Sequence, residues 1–116
     1  MTLYGIRRCT TVARARTWLD AHQIPYRFHD YRVDGVDPAQ IARWIDEHGW
    51  ERLLNRSGTT FRGLPAEQRE ALDATRAHAL MVAHPAAIRR PVLDLGDRRI
   101  VGFSADVYEA ELGARA

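Results

Sequence analysis

The feature that most constrains the fold is the N-terminal third, where two extended segments of different character flank a helical one. Leu3 to Ile6 is a short apolar run, the pattern of a buried strand. Arg7-Arg8-Cys9-Thr10-Thr11 follows as a loop. Val12, Ala15, Trp18 and Leu19 then recur at helical spacing. They predict a helix from Thr10 or Thr11 to His22, with either threonine as its N-cap. From Pro25 to Tyr31 aromatic and polar residues alternate, as in a half-buried strand. A strand, a crossover helix and a second strand place the two strands parallel in one sheet.

The middle of the chain reads as helical. Asp37-Pro38 is a cap followed by proline at the first helical position, Ile41, Trp44 and Ile45 form the apolar face, and Gly49 ends the segment. Trp50 to Asn55 predicts a short helix, Arg56 to Gly63 a loop, and Pro65 to about Asp73 and Thr75 to about His84 two more helices. The last of these carries Leu80, Met81 and Val82 and stops at Pro85. Strands return at Pro91 to Leu95 and Arg98 to Phe103, and the short Gly96-Asp97 turn makes them antiparallel neighbours. Ser104 caps a final helix through Val107 and Tyr108 to Leu112. The expected architecture is α/β: a mixed four-stranded sheet in the order β-α-β then β-β-α, the thioredoxin order, with a helical insertion over about 37–84.

Composition narrows the class. With 116 residues, 46% hydrophobic and 28% charged, the chain is expected to form one globular domain over 1–116. No apolar stretch reaches membrane-spanning length, and Met1 to Ile6 lacks the pattern of a signal peptide. A cytoplasmic protein is the expectation. All 17 basic residues are arginine, a bias that a genome rich in G and C also produces. A net charge of +2, with both signs interspersed, gives no electrostatic case for binding nucleic acid.

Cys9 is the single cysteine, so an internal disulfide is excluded. It falls where a strand hands over to a helix, with Arg7, Arg8 and Arg14 close in sequence. Helix N-termini and nearby cations favour a thiolate, which is the nucleophilic form. A buried structural cysteine is the competing reading. Position 12, where a CxxC motif would have its second cysteine, is Val12, so a mixed disulfide at Cys9 must be released by an external thiol. Arg89-Arg90-Pro91 presents planar donors to an oxyanion or carboxylate, or else two solvated arginines at a helix end, and an Arg90–Pro91 cis bond is compatible with such a turn. The loop Asn55 to Arg62 holds a glycine, hydroxyls and two arginines, which suits either an anion cradle or an ordinary surface loop. His22, His48 and His84 at helix ends and His29 in a strand read as structural, no metal-ligand spacing occurs, and Trp18, Trp44 and Trp50 read as core.

Together these segments resemble the arsenate reductase-like (ArsC/Spx) family, most closely its single-cysteine, YffB-type subgroup. The similar residues are Tyr4-Gly5-Ile6 to Cys9, Ala13 to Leu19, Tyr26 to Gly35, Gly49 to Asn55, Gly58-Thr59-Thr60-Phe61-Arg62, His84-Pro85, Arg90-Pro91 and Gly102-Phe103-Ser104. The resemblance implies a thioredoxin-like fold and a thiol reductase that depends on glutathione or glutaredoxin. Cys9 would be the nucleophile, and Arg90, Arg56, Arg62, Arg8 and Pro91 would form the anion- or glutathione-binding set. Glutathione would be a co-substrate and glutaredoxin a partner, with no tightly bound cofactor, no nucleic acid and no membrane. Two further arginines of glutaredoxin-linked arsenate reductases would align at Asn55 and Gly102, and neither is arginine here. Arg56 or Arg62 is available to replace the first. The alternative implied by the same family is an Spx-like regulator that binds RNA polymerase or another protein, although Spx proteins usually carry CxxC where this chain has Val12.

Overall fold

The computed structural model describes residues 1–113. Residues 1–34 with 90–113 form one compact unit, and Gly35–Arg89 forms a second.

The first unit is built on a mixed four-stranded sheet. Strand β1 (Thr2–Gly5) leads through a turn to helix α1 (Thr10–Ala21), then β2 (Arg27–Asp30) and a single helical turn, α2 (Tyr31–Asp34). The chain re-enters this unit with β3 (Val92–Asp94), β4 (Arg99–Val101) and a C-terminal helix (Ala105–Leu112). The sheet order is β2-β1-β3-β4. Strands β1 and β2 are parallel, with Leu3 beside Phe28 and Tyr4 beside His29, whereas β3 runs antiparallel to both β1 and β4. This is the expected thioredoxin-like topology.

One face of the sheet carries the core of this unit: Leu3, Leu93 and Ile100 pack with Ala15 and Leu19 of α1 and with Tyr108 and Leu112 of the C-terminal helix. Each fully buried Leu contributes about 1.5–3 kcal/mol by leaving water. Gly5 permits the closest approach, since a Cβ there would lie 2.7 Å from Val12 Cγ2. Val12 is therefore a packing residue, fully buried against the end of β1. Ser104 caps the C-terminal helix as expected, accepting a hydrogen bond from the Val107 N–H at 3.4 Å.

Three expectations change here. Strand β1 lies one residue earlier than the apolar run suggested. Helix α1 is headed by Cys9, not by Thr10 or Thr11. Strand β2 ends at Asp30, because the Asp30 side chain accepts the Arg32 N–H and bends the chain into α2, so Tyr31 is helical.

The second unit is all helical: α3 (Pro38–His48), α4 (Trp50–Leu53), α5 (Thr59–Arg62), α6 (Ala66–Arg69) and α7 (Ala74–Ala83), then a 3-10 turn over Pro85–Ala87. The Asp37 carboxylate caps α3 through the Ala39 N–H, Pro38 occupies its first turn, and Gly49 at φ 86° ends it. Ile41, Trp44 and Ile45 are its buried face. The predicted loop over Arg56 to Gly63 contains α5, which buries Phe61. The predicted helix from Pro65 to Asp73 is one turn only. Asp73 accepts the Arg76 N–H and so begins α7 instead of ending α6. The C-terminal helix, following these, is α8. Among the described residues no helix is long and apolar enough to cross a membrane.

Candidate active site

Cys9 occupies the N-cap of α1, in extended conformation, and its side chain makes no capping hydrogen bond. Its carbonyl accepts the Ala13 N–H at 3.0 Å, which closes the first helical turn. The N–H groups of Thr10, Thr11 and Val12 precede the first intrahelical bond, as at any helix start. They point toward the end where the sulfur is carried. The first turn of α1 holds no acidic residue. Cys9 is half-buried, so its sulfur combines partial access with the positive end of a 12-residue helix.

The turn that delivers Cys9 is tied at two points. The Cys9 N–H donates to the Ile6 carbonyl at 3.0 Å, making Arg7 and Arg8 the centre of a β-turn. The Arg7 N–H donates to Asp30 Oδ2 at 3.3 Å, linking the turn to the end of β2. Arg7 and Arg8 are exposed. The Arg7 guanidinium lies 5.6 Å from the centre of the Phe28 ring, and that of Arg14 lies 5.7 Å from the centre of Phe103. Both cations rest on aromatic faces, which sequence proximity to Cys9 did not indicate.

A shallow groove of about 540 Å³ runs along α1 from Thr10, next to Cys9, to His22. Arg14, Trp18 and Phe103 line it. Trp18 stacks on His22 at 3.8 Å, and Trp18 and Phe103 both meet Tyr108 edge-on.

Arg90 and Pro91 belong to the same unit as Cys9. Their peptide bond is cis. The Pro91 carbonyl accepts the Gly102 N–H at 2.8 Å. Arg90 is half-buried and close to Tyr31. The Tyr31 hydroxyl is buried and unpaired within the described residues. Burial, reinforced by Tyr4, pushes its pKa upward, and the Arg90 charge opposes that rise. Tyr31 is therefore a neutral hydroxyl at physiological pH. Sequence reading treated it as an ordinary strand residue, and nothing in the local pattern marks a buried phenol. Arg89 has a different fate: its Nε donates to the Arg52 carbonyl at 2.9 Å, which leaves Arg90 as the available member of the pair.

Arg56 and Arg62 belong to the second unit, and both are exposed. The Arg56 guanidinium lies 5.4 Å from the centre of Trp50. Arg62 ends α5. Asn55 turns into its own loop, where Oδ1 accepts the Ser57 N–H at 3.2 Å and the Ser57 hydroxyl at 3.0 Å. Gly58 packs against it, since a Cβ there would meet Asn55 Nδ2 at 2.8 Å.

Residues 4–111 match the ArsC family. The chain belongs to the ArsC family. A solved structure of a YffB protein is 52% identical, covers 94% of this chain and 96% of its own, and superposes with a TM-score of 0.91. An arsenate reductase-related ArsC protein from Brucella melitensis is 47% identical over 94% of this chain and 91% of its own, with a TM-score of 0.77. An uncharacterized protein of Haemophilus influenzae is 36% identical over 95% of this chain and 96% of its own length. The global transcriptional regulator Spx of Listeria innocua is 27% identical over 91% of this chain and 82% of its own. This chain carries a cysteine at the head of α1 and a cis Arg90–Pro91 pair just before β3. It has Asn55 and Gly102 at the positions where the resemblance aligned two further arginines.

Proposed function

We propose that this ArsC-family chain is a glutathione- or glutaredoxin-dependent thiol reductase with Cys9 as its only nucleophile. The observation that carries this reading is the position of half-buried Cys9 at the N-cap of α1, at a strand-to-helix turn beside the positive end of a helix whose first turn holds no acidic residue. The Cys9 thiolate attacks one sulfur of a substrate disulfide, forming a mixed disulfide and expelling the other sulfur as a thiolate, which takes up a proton. A glutathione thiolate then attacks the Cys9 sulfur and releases the remaining substrate thiolate. A second glutathione, or glutaredoxin, attacks the resulting Cys9–glutathione disulfide and restores the Cys9 thiolate. The net change is one substrate disulfide reduced and two glutathiones oxidised to their disulfide. The second thiol must come from outside, because position 12 is a buried valine.

Arg90 supplies a planar cationic donor for a carboxylate or oxyanion, with Arg8 and Pro91 of the same unit as further members of the binding set. The groove along α1 offers apolar walls and Arg14, which suit the peptide portion and a carboxylate of glutathione. A cytoplasmic setting, where thiols are kept reduced, fits this chemistry.

The test is intact-protein mass spectrometry after exposure to oxidised glutathione. One glutathione adduct, absent in Cys9→Ser and removed by glutaredoxin, is expected. No adduct at Cys9 overturns the reading. The Spx relative, a global transcriptional regulator, supports a second reading, a regulatory protein, for which the family resemblance implies RNA polymerase as the partner. Retention of polymerase subunits on the immobilised chain, with no adduct formed, would select it.

A further inference from the structure

Asp30 is a carboxylate that the thiol chemistry does not use. Among the described residues it is the one charged side chain in the buried class, 6% exposed. A carboxylate is costly to remove from water unless its oxygens receive hydrogen bonds. Both oxygens of Asp30 receive them from backbone: Oδ1 from the Arg32 N–H at 2.9 Å and Oδ2 from the Arg7 N–H at 3.3 Å. Asp30 is itself held, its own N–H donating to Asp34 Oδ2 at 3.0 Å.

These bonds differ in reach. The bond from Arg32 is local and turns the chain out of β2. The bond from Arg7 spans 23 residues and lands on the turn that carries Cys9. In the parallel register Asp30 lies beside Gly5, the last residue of β1. The turn from Ile6 to Cys9 is thus held by its own Cys9 N–H to Ile6 bond and by a buried anion at the end of the neighbouring strand. The Arg32 bond lies at the strand end itself, whereas the Arg7 bond ties that end to the turn that bears Cys9.

We propose that Asp30 is a positioning residue for Cys9: its carboxylate, through the Arg7 N–H, holds the turn that sets the sulfur at the N-terminus of α1. The proposal rests on Cys9 as the nucleophile of the preceding section. Small displacements of reacting atoms are expensive in rate, on the order of 100-fold for about 1 Å.

The decisive variant is Asp30→Asn, which preserves shape and one acceptor oxygen but presents an NH₂ group to one of the two backbone N–H groups. Three readouts are compared with the wild type: hydrogen exchange at the Arg7 amide, the iodoacetamide alkylation rate of Cys9 on its high-pH plateau, and kcat and KM for glutathione-coupled turnover. Asp30→Asn should speed Arg7 exchange by about tenfold or more and change the plateau rate. It should lower kcat by roughly 10- to 100-fold, with KM within about twofold. A purely structural role moves the melting temperature and leaves plateau reactivity and the kcat/KM split alone. Unchanged Arg7 exchange overturns the proposal. So does faster exchange with unchanged alkylation and kcat. If the wild type shows no turnover, the thiol reductase reading fails, and the exchange and alkylation readouts still decide the role of Asp30. Asp30→Ala, which removes both acceptors, should exaggerate each effect wherever it folds.

Discussion

The two units reach order by different means. In residues 1–34 and 90–113 the central strand β1 is registered against β2 and against the sequence-distant β3, β4 joins β3 through a short turn, and the elements around the sheet share one core. Gly35–Arg89 contains two full helices, α3 and α7, and three single turns, α4, α5 and α6. Its loops combine short-range side-chain bonds, such as Asn55 to Ser57 and Arg69 Nε to the Leu64 carbonyl at 2.9 Å, with long-range backbone bonds, the Asn55 N–H donating to the Ala87 carbonyl at 2.8 Å and the Arg89 N–H to the Leu53 carbonyl at 2.7 Å. Cys9 stands in the first unit, on a turn tied by one long-range bond to the neighbouring strand. The arginine-bearing loop belongs to the second, anchored where the Asn55 N–H meets the Ala87 carbonyl, and its Arg56 and Arg62 are exposed. Under the proposed function the reacting sulfur is thus tied to the sheet.

The largest effect that tests this division is Cys9→Ser. Thiol-transfer turnover should fall to background, because a serine hydroxyl cannot form the mixed disulfide. The change is nearly isosteric at a half-buried site, so stability should move by less than about 1 kcal/mol. A coupled glutathione assay and a thermal melt check both halves. Turnover surviving in Cys9→Ser would remove the chemistry from the first unit.

Arsenate is the next test, since the two missing arginines fall one in each unit. A dianion beside a thiolate needs several cationic donors, and loss of one costs on the order of 2–4 kcal/mol, roughly two to three powers of ten in rate. Arsenate reduction should therefore be at least that much weaker than in an arsenate reductase with all three arginines, assayed together with glutathione and glutaredoxin. The two positions resist repair differently. Gly102 lies at φ 84°, so Gly102→Arg incurs about 1–2 kcal/mol of left-handed backbone strain. Asn55→Arg forfeits only two bonds to Ser57 within an exposed loop. Of the two, Asn55→Arg should cost the less stability in urea melts. Comparable efficiency in the unmodified chain would show that other residues replace the two absent arginines.

High pH should act on the first unit selectively. All four tyrosines, Tyr4, Tyr26, Tyr31 and Tyr108, lie in it. Burial pushes the Tyr31 and Tyr108 phenols upward, so the folded chain keeps both protons after the unfolded chain begins to lose them near pH 10. The unfolded state then binds fewer protons, and stability falls as pH rises above about 10. With two such groups the slope approaches about 2.7 kcal/mol per pH unit. Denaturant melts between pH 9 and 11 measure it, and Tyr31→Phe should halve the slope. A flat profile would contradict the burial of these phenols.

Much of the first unit was readable in the sequence because its signals are periodic. The alternation in Pro25 to Tyr31, the helical recurrence of Val12, Ala15 and Leu19, and the Gly96-Asp97 turn all carried their topology. Capped helices were equally plain, as Asp37-Pro38 and Ser104 show. Four-residue helices have too little length for a period to register, so α5 looked like a loop and α6 like part of a longer helix. Cys9 stands out as a candidate nucleophile from its place at a strand-to-helix junction. Asp30 and Tyr31 did not stand out, because their burial and partners depend on the parallel register of β2 beside β1. Sequence also left Arg89 and Arg90 equivalent, and only the bond from Arg89 to the Arg52 carbonyl separates them.

The smallest expected effect compares two glycines, one from each unit. At both, an added Cβ meets a side-chain atom below 3.0 Å: Val12 Cγ2 at 2.7 Å from position 5 and Asn55 Nδ2 at 2.8 Å from position 58. The distances are alike but the neighbours are not. Val12 is β-branched, fully buried in α1 and confined to one rotamer, so it cannot turn aside. Gly5→Ala must therefore push α1 away from β1, at about 1–3 kcal/mol for overpacking, and it carries the Cys9 turn with it. The Asn55 amide is the end of a flexible side chain in a half-exposed loop, and it can swing away by giving up its bonds to Ser57. Gly58→Ala should cost about 1 kcal/mol or less. Gly5→Ala should also lower thiol-transfer turnover, whereas Gly58→Ala should leave disulfide exchange near the wild-type rate. Urea melts and the coupled assay, run on both variants, measure the contrast. Equal losses of stability and turnover would mean that the loop in the second unit is as rigid as the sheet that carries Cys9.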